Sequence, residues 1–216
     1  MSAKFKTLVA ATALAVMTPM AAQAAANTFQ FYGHGPLTDE VSVAPNYVSG
    51  NLGVTVRAFD TTGKSLALAI RFDGLGAYGG GLDAGEVDSL LGGPVEYLEL
   101  TFSKQVKLNA LGFSLWENGL FGPLDQATLS WGSQSLALGN NNDGGLLVKT
   151  FSFADATAPV GSVFKITSTG NLSAFRLAGI GATVNAVPEP TTALLMGLGL
   201  AGVAFTARRA ARRTTA

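Results

Sequence analysis

The chain reads as an all-β protein with an antiparallel β-sandwich or jelly-roll-like body. Three observations predict this. Apolar residues recur at every second position in short runs through the centre of the chain. The runs are separated by glycine, asparagine and aspartate, and with 27 glycines among 216 residues there is turn material for many strands. No central segment holds the 3.6-residue period of an amphipathic helix. Side chains of a strand point alternately to its two faces, so period two marks a half-buried strand, and many such runs mark a sandwich or barrel.

The first segment lies outside that body. Lys4 and Lys6 precede an apolar run from Leu8 to Met17, and Ala22-Gln23-Ala24 supplies the small residues of a cleavage site. This is the pattern of a secretory signal peptide, handled by the Sec export machinery and cut after Ala24.

The body follows. Val54, Val56 and Ala58 share one face of a strand, and Leu66, Leu68, Ile70 and Phe72 share another after an Asp60-Thr61-Thr62-Gly63 turn. Leu98, Leu100 and Phe102 alternate with Glu99, Thr101 and Ser103; Val106 and Leu108 begin the next run, and Leu111, Phe113 and Leu115 continue in shifted phase. Leu129 and Trp131, Leu136 and Leu138, Phe151 and Phe153, Phe164 and Ile166, and Phe175 and Leu177 mark later strands. The expectation is about nine or ten strands, with the alternating aromatics in the core. Asn140 to Gly145 lacks the acidic twelfth residue of an EF-hand and is read as a hairpin turn. Asn171-Leu172-Ser173 is a formal glycosylation sequon, read here as a turn.

The C-terminal segment changes character again. Val187-Pro188-Glu189-Pro190 is an extended spur, because proline fixes φ and cannot continue a helix. Thr191 to Ala207 carries no charge; as a helix it would reach roughly 25 Å, slightly short of a ~30 Å hydrocarbon core. Arg208, Arg209, Arg212 and Arg213 come next and favour the cytoplasmic side, which holds the body on the opposite side. A single transmembrane helix over 191–208 is expected. Gly197, Gly199 and Gly202 match the dinucleotide fingerprint as a string, but no βαβ unit surrounds them; small residues in such a helix suit membrane packing.

These residues, Val187 to about Thr214, together resemble the PEP-CTERM sorting domain of bacterial surface proteins. The resemblance implies recognition by an exosortase, a membrane cysteine protease that cuts near the motif in a Gram-negative bacterium. It implies an inner-membrane-anchored precursor, then release or attachment to extracellular material, with exopolysaccharide as a partner. The same segment is sometimes labelled an ice-binding protein C-terminal domain; that label describes the tail and implies no ice binding. A looser likeness to the middle region of such proteins rests on Gly74-Leu75-Gly76, on Gly85-Glu86-Val87-Asp88, and on Glu96 to Ser103 with Val106-Lys107-Leu108. It implies a β-sandwich surface domain. Leu75-Gly76-Ala77 departs from the usual Leu-Gly-Val, and Gly79-Gly80-Gly81 extends the loop. Three parts result: residues 1–24, 25–186 and 187–216.

Composition narrows the function. The whole chain is formally neutral, but residues 25–186 carry eight basic and thirteen acidic side chains, a net charge of −5. An acidic body argues against nucleic acid as a partner. The absence of cysteine excludes disulfides, thiol catalysis and thiolate metal sites. The single histidine, His34, lies in Tyr32-Gly33-His34-Gly35-Pro36 with no nucleophile elbow in the chain to support a triad.

One stretch attracts a site. Residues 72–103 hold Asp73, Asp83, Glu86, Asp88, Glu96 and Glu99 and no lysine or arginine. Acids gathered without a cation repel unless they are solvated or share a metal. Calcium takes oxygen ligands from flexible loops, so Asp83, Glu86, Asp88 and Glu96 are the expected calcium ligands. The alternative is a solvated loop with turn-capping carboxylates. Two functions follow. One is a non-catalytic surface or matrix protein binding calcium or glycan, and this is the reading adopted. The other is a glycan-active hydrolase using Glu86 and Glu96 as paired carboxylates.

Overall fold

The computed structural model describes residues 26–31, 40–42, 44–80, 83–89, 94–116, 125–139, 147–170, 172–185 and 197–203. Thirteen strands appear among them: β1 (Ala26–Gln30), β2 (Glu40–Ser42), β3 (Asn46–Ser49), β4 (Leu52–Asp60), β5 (Ser65–Arg71), β6 (Gly74–Tyr78) and β7 (Val87–Asp88), then β8 (Glu96–Trp116), β9 (Gln126–Trp131), β10 (Gln134–Leu138), β11 (Leu147–Ser152), β12 (Val160–Thr169) and β13 (Ala174–Val184). The count exceeds the nine or ten expected because β2, β3 and β7 have three, four and two residues, too few to show a period.

Strand β8 organises the body. It has 21 residues, and a straight strand that long would reach about 70 Å. It turns a corner instead. Val106 pairs with Gly161 and Thr101 with Val163, so Phe102 to Gln105 lie opposite the single Ser162. Ser103, Lys104 and Gln105 are all exposed there, which suits an outer corner. The first half of β8 pairs with β4 and β12, the second with β13 and β11. Hydrogen-bonded neighbours therefore run β13–β6–β5–β4–β8 and back to β13, a closed ring from which β1, β11 and the β12–β9–β10 run extend. Every pairing is antiparallel.

The all-β class stands, but the two-sheet sandwich gives way to one barrel-like sheet. The reason is β8, which serves both sides and so joins what would be two sheets. The phase shift after Leu108 is a bulge: Leu108 faces Ala182 and Ala110 faces Gly181, leaving Asn109 unopposed. The period-two faces then meet inside. Phe31, Phe113, Phe164 and Phe175 are fully buried, with Leu52, Leu68, Leu98, Leu100, Leu111 and Leu129 around them. Phe113, Trp116, Phe151 and Phe175 form one aromatic cluster with ring centroids 5.0–5.7 Å apart.

Two local readings change. Leu66, Leu68 and Ile70 are buried as expected, but Phe72 is 62% exposed. β5 ends at Arg71 and Phe72 lies in the turn before β6, so it leaves the alternation. β10 and β11 do not form a hairpin: β10 pairs with β9 and β11 with β8. Residues 140–146 connect strands on different parts of the sheet and lie outside the described residues. The Asp60 turn is as read. Asp60 Oδ1 accepts from the Thr62 hydroxyl at 2.6 Å and from the amides of Thr62 and Lys64 at 2.9 and 3.0 Å. The Thr62 hydroxyl bond leads in holding its carboxyl below the usual range, and Gly63 supplies the left-handed φ of 88°. Around the sequon, Gly170 and Leu172 are left-handed, and the Ser173 hydroxyl bonds to the Thr169 carbonyl at 2.8 Å, as a turn requires.

At the C-terminus, residues 197–203 are helical and exposed. Among the described residues no helix is long and apolar enough to cross a membrane. Ala22, Ala24, His34, Val187, Pro188, Glu189, Pro190, Arg208, Arg209, Arg212 and Arg213 lie outside the described residues.

Candidate functional site

The acidic stretch folds back on the sheet between β6 and β8. The amide of Ala77 in β6 donates to the Glu86 carbonyl at 3.2 Å, and Val87 and Asp88 pair with Phe175 and Ala174 of β13. Gly76 permits this approach. A Cβ at position 76 would stand 2.7 Å from the Gly85 carbonyl carbon and 2.9 Å from the Glu86 Cα. Gly85 itself has φ of 71°. These are two of the glycines that carried the looser family likeness, and here they serve close backbone contact.

The stretch has a basic partner after all. Arg176, from β13, points into it. Its Nη1 bonds both oxygens of Asp73 at 2.9 Å, and its Nη2 lies 3.4 Å from Glu86 Oε1. Nε donates to the Gly85 carbonyl at 3.1 Å and Nη2 to the Ala84 carbonyl at 2.9 Å. The guanidinium side chain is only 11% exposed. Five donors in a planar fork suit this task, joining two carboxylates and two carbonyls at once. Burial pushes the Glu86 carboxyl upward, and the Arg176 charge opposes that push.

The expected calcium set is therefore divided. Glu86 pairs with Arg176, so the premise that these acids lack a cation does not hold. Asp83 caps the loop: its Oδ1 accepts from the Gly85 amide at 2.7 Å, and its Oδ2 accepts from the Gly79 amide. This is the turn-capping alternative. Glu96 Oε2 accepts from the Asp88 amide at 3.3 Å. Among the described residues no group of three or more acids could hold a metal ion. Counting charge along the chain hid this partner, since Arg176 is 90 residues from Glu86 and 103 from Asp73. One signal was available: a lone arginine between Phe175 and Leu177 in an otherwise apolar strand.

Among the described residues Glu96 is the most perturbed group. It is 7% exposed. Burial, then the charges of Asp88 and Asp83, push its carboxyl up to about 8. It thus keeps its proton at neutral pH. As the acid of a hydrolase it would need an open face and a free partner, yet it is buried and Glu86 is ion-paired. The titration has a consequence for stability. The unfolded chain releases this proton near 4.5 and the folded chain near 8. Stability from this group is full below about 4.5, declines as pH rises, and is gone above about 8. Glu96→Gln removes the titration. Between pH 5 and pH 9 the parent should lose on the order of 10 °C in melting temperature relative to the variant. Parallel pH profiles would refute this.

Fold and site together define a β-barrel-like domain whose acidic loop is held by its own arginine. Residues 186–210, just beyond the last strand, match the PEP-CTERM protein-sorting motif. The chain is a PEP-CTERM domain-containing protein, and the motif implies an exported surface protein processed by an exosortase. No curated protein matches the chain.

Proposed function

We propose that the protein is a non-catalytic cell-surface or extracellular-matrix component. The Sec machinery exports it and the signal peptide is removed after Ala24. The helix over 191–208 anchors the precursor in the inner membrane, with Arg208, Arg209, Arg212 and Arg213 on the cytoplasmic side. An exosortase-type protease then acts near Val187-Pro188-Glu189-Pro190. The match to the sorting motif at residues 186–210 carries this reading. The order of an extended spur, an uncharged run and an arginine cluster supports it. The commitment of Glu86 to Arg176 supports a structural role for the acidic loop rather than a hydrolytic one.

Processing tests the proposal in the native host. Glu189→Ala or Pro188→Ala should leave the full-length form in the membrane fraction, while the parent matures. The extended, charged spur is what a membrane-bound protease can distinguish from the helix beside it. Variants that mature at the parental rate would overturn the sorting role of these residues.

A further inference from the structure

We propose that the outer face of the sheet binds a neutral saccharide unit of a glycan, in the groove floored by β8 and β13. The groove measures about 680 Å³, within the range of small-ligand sites. Its floor is built by register. Gly179 pairs with Gly112, and Gly181 with Ala110, so two adjacent strands present almost no side chain. The walls come from the flanking strands. Thr28 and Gln30 of β1 oppose Gly181 and Gly179, and Thr150 of β11 opposes Gly112.

A channel of small residues is not by itself a site. The head of this one adds an independent observation. Ser114 lines the groove, is only 6% exposed, and among the described residues its hydroxyl finds no hydrogen-bond partner. A buried hydroxyl left unpaired carries a desolvation cost that a ligand hydroxyl would offset. Beside it stand Phe72, 62% exposed, and Asp73, held by Arg176.

The chemistry selects the ligand. The floor is apolar and flat, while hydroxyl, amide and carboxylate groups stand at the edges. A pyranose ring has the same division, with C–H faces for the glycines and Phe72 and hydroxyls round its rim. A hydrocarbon would leave Ser114, Gln30 and Thr150 unanswered. An anion would meet Asp73, and among the described residues no lysine or arginine lines the groove. The proposal deepens the surface-protein reading and rests on it for its biological setting, but its test is made on purified protein and is independent of processing.

The test is affinity electrophoresis of the full-length protein in detergent, through gels containing dextran, mannan, galactan or the neutral polysaccharide of the native host, with alginate as the anionic control. At least one neutral gel should retard the parent. Phe72→Ala removes an exposed ring. Gly112→Ala raises the floor, where a Cβ meets its neighbours at an ordinary 3.6–3.9 Å. Each should weaken binding by about tenfold, the loss of one good contact, with melting temperature unchanged. Ser114→Ala separates binding from folding: retardation should fall while melting temperature holds or rises, since an unpaired hydroxyl is removed. The proposal is overturned if no neutral gel retards the parent, if only alginate does, or if the three stably folded variants bind like the parent.

Discussion

Arg176→Met should lower the melting temperature by about 10 °C. The substitution deletes every bond the guanidinium makes to Asp73, Glu86, Ala84 and Gly85. Two carboxylates, 16% and 19% exposed, would then lose the guanidinium that joins them. Removing one partner of a buried ion pair costs about 3–5 kcal/mol, because the other charge stays buried and unpaired. For a domain of this size each kcal/mol moves the midpoint by about 2–4 °C. The effect should also depend on pH. As pH falls towards 4 the orphaned Glu86, its carboxyl pushed upward by burial, takes up a proton and the variant recovers part of its loss. Asp73→Asn with Glu86→Gln in the same chain should likewise restore part of it at pH 7. Thermal melts of the three proteins at pH 4 and pH 7 decide the matter. An Arg176→Met midpoint within about 2 °C of the parent at pH 7, under 1 kcal/mol by the same conversion, would show that the loop is not held by this cluster.

Gly76→Ala should detach the loop by a different route. The new methyl would overlap the Gly85 carbonyl and press on the Glu86 Cα, and both are backbone, so no side chain can swing aside. Ordinary overpacking costs about 1–3 kcal/mol, and a clash with backbone belongs at the upper end or beyond. The hydrogen bond from the Ala77 amide to the Glu86 carbonyl would break with the displacement. Limited proteolysis should then cut between residues 79 and 88 well before the parent is touched. Gly112→Ala is the control, because its Cβ would have only ordinary contacts. Equal protease resistance in parent and Gly76→Ala would show that the loop does not need this approach.

The two substitutions differ in how readily the sequence announces them. Gly76 sits in a short glycine-containing segment, and a glycine inside a strand already signals close backbone approach. The partner that approaches, Gly85, is nine residues away along the same chain. Arg176 gives no such clue about its partners. Its fork fits Asp73 only after β13 has been laid beside β6 and β8. Glu96 is intermediate. Its place at the start of a strand is legible, but its burial depends on the folded loop above it.

Local pattern alone determined the longer strand segments, most of their buried faces, the Asp60 turn and the sorting tail. Alternation, capping and the spur–helix–arginine order are properties of near neighbours, and each acts through a few residues. Tertiary structure decided what joins to what. It bent β8 so that one strand closes the sheet, separated β10 from β11, and turned Phe72 outward to the head of a glycine-floored groove. It also brought Arg176 to acids about a hundred residues earlier in the chain. Strand pairing and charge neutralisation are chosen by closure of the whole sheet, where distance along the chain no longer measures distance in space.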